Sequence, residues 1–141
     1  MYENYTRQSL PSKKYRELLG TAICVFNSNN SFVIENILRE DESYTWDCLI
    51  DKESGKLKPI VGRVINDEEI LRLLTEIINK RNRIIHSFQI TDRESGEQVL
   101  CTKTKSIDND SKQFIITEGY LMQFIKDNEE LSSLLYEYRG Y

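Results

Sequence analysis

The chain has few of the residues that build metal centres and disulfide frameworks. Its 141 residues include one histidine and three cysteines, Cys24, Cys48 and Cys101, which lie far apart in the sequence. An odd number of widely spaced cysteines indicates neither a disulfide framework nor a zinc knuckle, so we expect free thiols, two of them buried. A single histidine without neighbouring cysteines cannot complete a zinc site, and neither an HExxH pair nor a glycine-rich phosphate loop occurs. We therefore expect no metal and no cofactor.

Long hydrophobic runs are also missing. Residues 1–14 contain no apolar stretch of signal-peptide length, and no later run approaches the length of a membrane span. We expect a cytoplasmic protein without a membrane partner. The net charge of −4 argues against a protein that coats nucleic acid through its overall field, but it leaves room for a local basic site.

The composition does supply the material for one core. Apolar residues make up 39% of the chain and charged residues 30%, which is typical of a folded globular protein. A chain of this length buries a substantial core, so we expect one domain over residues 1–141.

The most regular apolar pattern ends in residues 80–86 (KRNRIIH), which include the only histidine. On a helical wheel the apolar residues of this segment gather on one side; they are Ile70, Leu73, Leu74, Ile77, Ile84, Ile85 and Phe88. Arg81 lies in the middle of that side, whereas Asn82 and His86, one turn apart, point well away from it. Acidic residues at the start and basic residues at the end are also the charge order of an ordinary stable helix.

Arg81 on the apolar side requires an explanation. A buried guanidinium must bind a carboxylate, carbonyl oxygens or a phosphate, because an isolated buried charge is very unfavourable. The structural interpretation is that Arg81 extends to the helix end or pairs with a glutamate, with His86 an ordinary surface residue. The functional interpretation is an anion site. From spacing alone both remain open.

The motif Arg81-Asn82-x-x-x-His86 resembles the signature of the HEPN superfamily, whose ribonuclease members carry an arginine, often a polar residue next to it, and a histidine a few residues further on. The resemblance extends to a long first helix followed by an amphipathic helix that ends in the motif. The segment Gly20-x-Ala22-x-x-x-Phe26-Asn27 is also similar to first helices of HEPN-like proteins in phage-defence and toxin systems. The resemblance implies a mainly α fold, an HEPN-like helical bundle with a small β-hairpin or meander added.

The resemblance also implies an activity, that of an endoribonuclease of a toxin or abortive-infection system. In such an enzyme His86 acts as the acid or base, because an imidazole can give or accept a proton near neutral pH, and Arg81 stabilises charge on the phosphate. Asn82 orients the imidazole or holds a phosphate oxygen. Lys80 and Arg83 are candidate substrate-binding residues. The motif has no carboxylate cluster for Mg²⁺, so we expect metal-independent cleavage.

Partners follow from the same resemblance. On an ideal helix Arg81 and His86 point about 140° apart, so they share a site only if the helix ends near His86 or a second chain contributes. HEPN nucleases join two motifs across a homodimer. An antitoxin or another defence protein is a possible further partner, but Phe88 stands where toxins paired with nucleotidyltransferases commonly carry a modified tyrosine, which argues against that control. The alternative function is a non-catalytic HEPN-like module that binds RNA, nucleotide or protein.

The helices outside the motif are indicated by caps and periodicity. Ser12 is a candidate N-cap for a helix from Lys13 to about residue 40, although a break at residues 27–31 is the alternative. If that helix is continuous, Asn29 and Asn30 interrupt its apolar face, and we expect them to share a polar pocket with Arg81. Two C-terminal helices are expected at residues 117–125 and 127–138, or one kinked helix in their place.

Strands are expected in two regions. Residues 44–50 and 56–61 predict a hairpin or an irregular excursion, with Pro59 keeping the second strand at an edge. Residues 87–91 and 97–103 alternate about a turn at 92–96, and residues 113–117 follow a polar loop at 106–112. Together the last three segments predict a β-meander.

Overall fold

The computed structural model describes residues 2–105 and 111–140, and its architecture is mainly helical with one small antiparallel sheet. After a short 3-10 turn at Tyr2–Tyr5, the elements are α1 Lys13–Glu40, α2 Trp46–Ile50, α3 Ser54–Val64, α4 Glu68–Ile85, β1 Phe88–Thr91, β2 Gln98–Lys105, β3 Ser111–Ile116 and α5 Glu118–Arg139. This confirms the expected mainly α fold with a small β addition. Most of the polar loop expected at residues 106–112 lies outside the described residues. No helix in the described part is long and apolar enough to cross a membrane.

Helix α1 is continuous. Its first turn is capped by Ser12, whose Oγ accepts a hydrogen bond of 3.2 Å from the amide of Tyr15. The polar interruption does not break the helix because Asn29, which is buried, donates to the carbonyl oxygen and to Oδ1 of Asn128, at 2.8 and 3.0 Å. The expectation that Asn29 shares a polar pocket with Arg81 is therefore wrong, since its partner belongs to α5.

The hairpin expected at residues 44–50 and 56–61 is also wrong, because this region forms α2 and α3. Leu57, Ile60 and Val61 recur at helical spacing, and all three are buried. Pro59 lies inside α3 rather than at a sheet edge. Pro59 has no N–H to donate to the carbonyl of Gly55, but both residues are exposed, so the missing bond does not leave a buried carbonyl without a partner.

The three strands form the expected meander, in the order β1-β2-β3 with both neighbouring pairs antiparallel. The turn between β1 and β2 closes through a hydrogen bond of 2.8 Å from the amide of Gly96 to the carbonyl of Asp92, and Gly96 has a φ of +73° that favours glycine. Cys101, in β2, is buried, whereas Cys24 and Cys48 are exposed. Only one of the three thiols is therefore buried, not two.

One hydroxyl joins the sheet to α1. The Tyr15 hydroxyl accepts from the amide of Leu100 at 3.1 Å and donates to the carbonyl of Ile116 at 2.5 Å, so it bridges β2 and β3. Burial raises the pKa of Tyr15, which stays a neutral donor and acceptor.

Helix α5 is a single helix that packs against both α1 and α4. Thr117 caps it, with Oγ1 accepting from the amide of Tyr120 at 3.0 Å. The two separate C-terminal helices are therefore replaced by one continuous helix. Its buried face carries an apolar row, Leu121, Phe124, Leu131 and Leu135, with two buried polar residues, Asp127 and Asn128, in the middle.

Replacing Tyr15 with Phe should lower the free energy of unfolding by about 1–3 kcal/mol, because a buried amide and a buried carbonyl both lose their partner. Urea denaturation followed by circular dichroism measures the change. Tyr44→Phe is the control, since that hydroxyl makes only an exposed hydrogen bond with Arg63 and its removal should cost well under about 1 kcal/mol. Equal losses in the two variants would contradict a structural role for the Tyr15 hydroxyl.

Candidate functional site

Helix α4 carries the motif and ends at it. Asp67 caps the helix, its Oδ1 accepting from the amides of Glu69 and Ile70 at 3.0 and 3.1 Å. The last helical residue is Ile85, and His86 is the C-cap, its amide donating to the carbonyl of Asn82 at 3.1 Å. The His86 side chain is therefore exposed at the end of α4.

Arg81 lies over an aromatic ring, not beside a carboxylate. Its guanidinium carbon is 5.2 Å from the centroid of the Phe26 ring on α1, a cation–π distance. Its Nη1 reaches Oδ1 of the exposed Asn82 only at 3.5 Å. Within residues 2–105 and 111–140 no carboxylate lies within ion-pair distance of Arg81. Its position on the apolar side of α4 is thus explained by Phe26, and the guanidinium stays available for an anion.

The same guanidinium lines a small pocket between α1 and α4, with α5 contributing to the wall. The pocket has a volume of about 110 Å³. Two of its lining residues, Ile23 and Ile85, are 41% and 40% exposed, so it is open to solvent on that side. The remaining lining residues are Ala22, Phe26, Asn27, Arg81, Ile84 and Phe124. The pocket is thus apolar except for one guanidinium and one carboxamide.

Lys80 has a structural partner. Its ammonium binds Oδ2 of Asp127 on α5, a side chain that is only 11% exposed. Gln123 donates to the other carboxylate oxygen at 2.8 Å. Lys80 therefore neutralises a nearly buried charge, which argues against its expected role in substrate binding.

Arg83 is exposed and lies over the Phe114 ring of β3, with 4.5 Å between the guanidinium carbon and the ring centroid. The neighbouring Tyr120 packs edge-on against the same ring at 5.2 Å between centroids. Burial raises the pKa of Tyr120, and the positive charge of Arg83 partly opposes that rise. Arg83 can therefore still offer its charge to a ligand near the sheet.

The structure thus places the five expected site residues in different surroundings. Arg81 and Asn82 are neighbours, Lys80 is tied to α5, Arg83 faces the sheet, and His86 stands at the end of α4 without lining the pocket. In this chain no hydrogen bond joins the described side chains of Arg81 and His86.

Sequence reasoning missed the aromatic wall and the carboxylate partner. Phe26 and Phe124 come from α1 and α5, and Asp127 also comes from α5. The only signal in the sequence was the Phe26-Asn27 pair in the first helix, which the motif resemblance singled out. Nothing in the sequence marks Asp127 as the partner of a residue 47 positions earlier.

Among the residues that the structure describes, no three histidine, cysteine, aspartate or glutamate side chains come together to hold a metal ion. Comparison with known proteins adds no relative: no family model, no curated protein and no solved structure matches this chain. The candidate site is therefore argued from its own geometry.

Replacing Lys80 with Ala should lower the free energy of unfolding by about 1–3 kcal/mol, because it leaves the nearly buried carboxylate of Asp127 without its cation. The matched control is Arg72→Ala on the same helix, whose ion pair with Glu76 is exposed and worth less than about 1 kcal/mol. Chemical denaturation of the two variants measures the difference. If both lost the same small amount, Lys80 would be free to act as a substrate-binding residue.

Proposed function

We propose that this protein is a metal-independent endoribonuclease of a toxin or abortive-infection type defence system, acting on RNA as a homodimer with a composite active site. The observation that carries the proposal concerns Arg81, on the helix that ends in the only histidine. Its guanidinium lines a solvent-open pocket, and among the described residues no carboxylate pairs with it. Both groups are accessible, and both belong to the short motif that resembles HEPN ribonucleases.

The reaction that these groups support is attack of a ribose 2′-hydroxyl on the adjacent phosphate. An imidazole of His86 takes the 2′ proton while the 2′ oxygen bonds to phosphorus, and the bond from phosphorus to the 5′ oxygen breaks. A protonated imidazole, from the second copy, gives its proton to that leaving oxygen. Arg81 binds the phosphate oxygens and stabilises the extra negative charge of the transition state. The products are a 2′,3′-cyclic phosphate and a 5′-hydroxyl.

A second copy is required because one chain keeps the two groups apart. Arg81 points toward α1, whereas His86 is exposed at the helix end and lines no part of the pocket. Pairing of two chains around the ends of their α4 helices brings each His86 toward the partner's motif. Exposed apolar side chains suitable for such a contact lie at the helix end, where Ile85 is 40% and Phe88 39% exposed.

Partners other than RNA follow from the proposed class. A toxin or defence nuclease of the cytoplasm needs an inhibitor or a trigger, so an antitoxin or a defence-system protein is proposed as a further partner. Phe88 offers no hydroxyl for modification, which favours control by binding. Arg83 is the proposed additional contact to RNA, and Asn82 is proposed to hold a phosphate oxygen beside Arg81.

One observation favours a second candidate function, a non-catalytic module that binds RNA, nucleotide or protein. Arg81 lies in a formed pocket to which His86 does not contribute. Such a pocket can bind a ligand in a single chain without any chemistry. The cleavage assay separates the two functions.

Purified protein incubated with labelled RNA in EDTA should cleave it, and His86→Ala should abolish cutting while leaving the circular dichroism spectrum unchanged. Arg81→Lys should lower the rate by about 10²-fold or more, because an ammonium keeps the charge but loses the two-pronged grip on phosphate. Mass spectrometry of the products should show the cyclic phosphate.

Arg72→Ala is the matched control for the loss of one basic side chain from α4, and it should cut at the wild-type rate. Cleavage that disappears with chelator, or that persists undiminished in His86→Ala, would rule out the motif as the catalyst. Tight RNA binding without cutting would instead support the binding module.

Light scattering at micromolar concentration should give twice the mass of one chain. Phe88→Asp should shift the protein toward the monomer and reduce RNA cleavage in parallel, because it places a charge in the proposed contact at a residue that does not line the pocket. Ile50→Asp is the control, since Ile50 on α2 is equally exposed at 41% and lies outside that contact. A monomeric wild-type protein that still cuts RNA would refute the composite site.

A further inference from the structure

The pocket beside Arg81 has apolar aromatic walls. Phe26 and Phe124 both line it, their ring centroids 6.3 Å apart and their planes inclined by 27°. Both rings are buried, and so are the lining residues Ala22 and Ile84. These buried rings and side chains give the pocket apolar walls, which favour a flat or apolar group such as the ring of a nucleic-acid base.

The two polar groups of the pocket complement an anion and a hydrogen-bonding edge. The guanidinium carbon of Arg81 lies 5.2 Å from the Phe26 centroid, and within the described residues its N–H groups make only the long 3.5 Å contact with Asn82, so they can bind phosphate oxygens. Asn27 is exposed, and its side chain makes no hydrogen bond within the described part of the chain. Its carboxamide offers one acceptor and two donors, which match the donor and acceptor pattern on the edge of a base.

The volume of the pocket limits the size of the ring. A dry protein cavity of about 150 Å³ holds a benzene molecule. At about 110 Å³, with one open side, this pocket is close in size to a single six-membered ring. A purine, with two fused rings, would leave more of its surface outside the pocket.

We propose that the pocket binds the pyrimidine ring of a nucleotide, with Asn27 contacting the edge of the base and Arg81 the phosphate of the same nucleotide. The role of this pocket in RNA cleavage rests on the proposed ribonuclease function, whereas binding of the nucleotide does not. Asn27 is then a residue that determines which base lies next to the cleaved bond.

Calorimetric titration of the full chain with uridine and cytidine 5′-monophosphate tests the binding. Ribose 5-phosphate, which lacks the ring, should bind at least about fivefold more weakly, because it loses the apolar contact with the pocket walls. Guanosine 5′-monophosphate should also bind more weakly because of its size. Asn27→Ala should lower the affinity for the uridine nucleotide about fivefold. Arg81→Gln should lower the affinity for every phosphate ligand, including ribose 5-phosphate.

The matched control is Thr21→Ala, another exposed polar residue of α1 that does not line the pocket, and it should bind the uridine nucleotide as the wild type does. A second variant, Ile23→Glu, places a carboxylate at the open side next to Arg81 and should also block the nucleotide. Equal affinity for ribose 5-phosphate and the uridine nucleotide would overturn the ring site. Equal affinity for the guanosine and uridine nucleotides would overturn the pyrimidine assignment.

Absence of nucleotide binding by the folded wild type would also overturn the inference. If Ile23→Glu also converted a dimer to a monomer, the pocket would instead be filled by a side chain of a second copy of this chain.

RNA of random sequence distinguishes failure of this inference from failure of the proposed function. Cleavage next to pyrimidines that loses its base preference in Asn27→Ala supports the inference. Cleavage with the same base preference in wild type and Asn27→Ala would overturn it while leaving the ribonuclease intact. If no RNA were cut, the ribonuclease function would fail, and selective binding of the uridine nucleotide would still support the pocket.

Discussion

Two polar contacts made by adjacent residues of α5 determine how the three long helices lie against one another. Asn128 accepts hydrogen bonds from the carboxamide of Asn29 on α1, and the carboxylate of Asp127 binds the ammonium of Lys80 on α4. Both α5 residues are buried. If α1 or α4 shifted by one residue along α5, a buried amide or carboxylate would lose its partner. That loss is more unfavourable than the loss of packing alone. The apolar row of α5 supplies most of the burial, and these two contacts select one alignment.

The pocket is a consequence of that alignment. Successive residues of a helix point about 100° apart, so tying Lys80 to α5 turns the next residue, Arg81, toward α1. There its guanidinium meets Phe26, while Phe124 of α5 forms part of the same wall. Lys80 and Arg81, adjacent in sequence and identical in charge, therefore have different roles: one stabilises the fold, and the other is left available to an anion. This division is why the basic cluster does not act as one patch.

The arrangement of the motif explains why its chemistry is proposed for two chains. A single α4 presents Arg81 on its side and His86 at its end, so the pocket of one chain can hold an anion without reaching an imidazole. The proposed binding by the pocket and the proposed catalysis at the helix end are thus separable, and a dimer contact at the end of α4 would bring them together. In the proposed arrangement the bound ring would set which phosphate approaches His86, and a small pocket would thereby impart base preference.

By itself the sequence determined the features that depend on neighbours along the chain. Ser12 marks the start of α1, acidic residues mark the start of α4, and alternation about the turn at 92–96 marks the sheet, because caps, turns and periodicity act over a few residues. The same local signals gave a wrong prediction at residues 44–61, where a hairpin was expected. Short apolar runs there fit a strand and a helix equally well, and packing against α1 and α4 selects the helix.

Only the tertiary structure decided the partner of each buried polar group, since those partners lie on elements distant in sequence. Asn29 finds Asn128 and Lys80 finds Asp127 only when α5 packs between α1 and α4. Arg81 was recognisable from sequence as a misplaced charge, but its contact with an aromatic ring rather than a carboxylate follows from how the helices pack. Packing of the helices, not the order of residues, therefore decides that Lys80 is a structural cation and that Arg81 stays available to an anion.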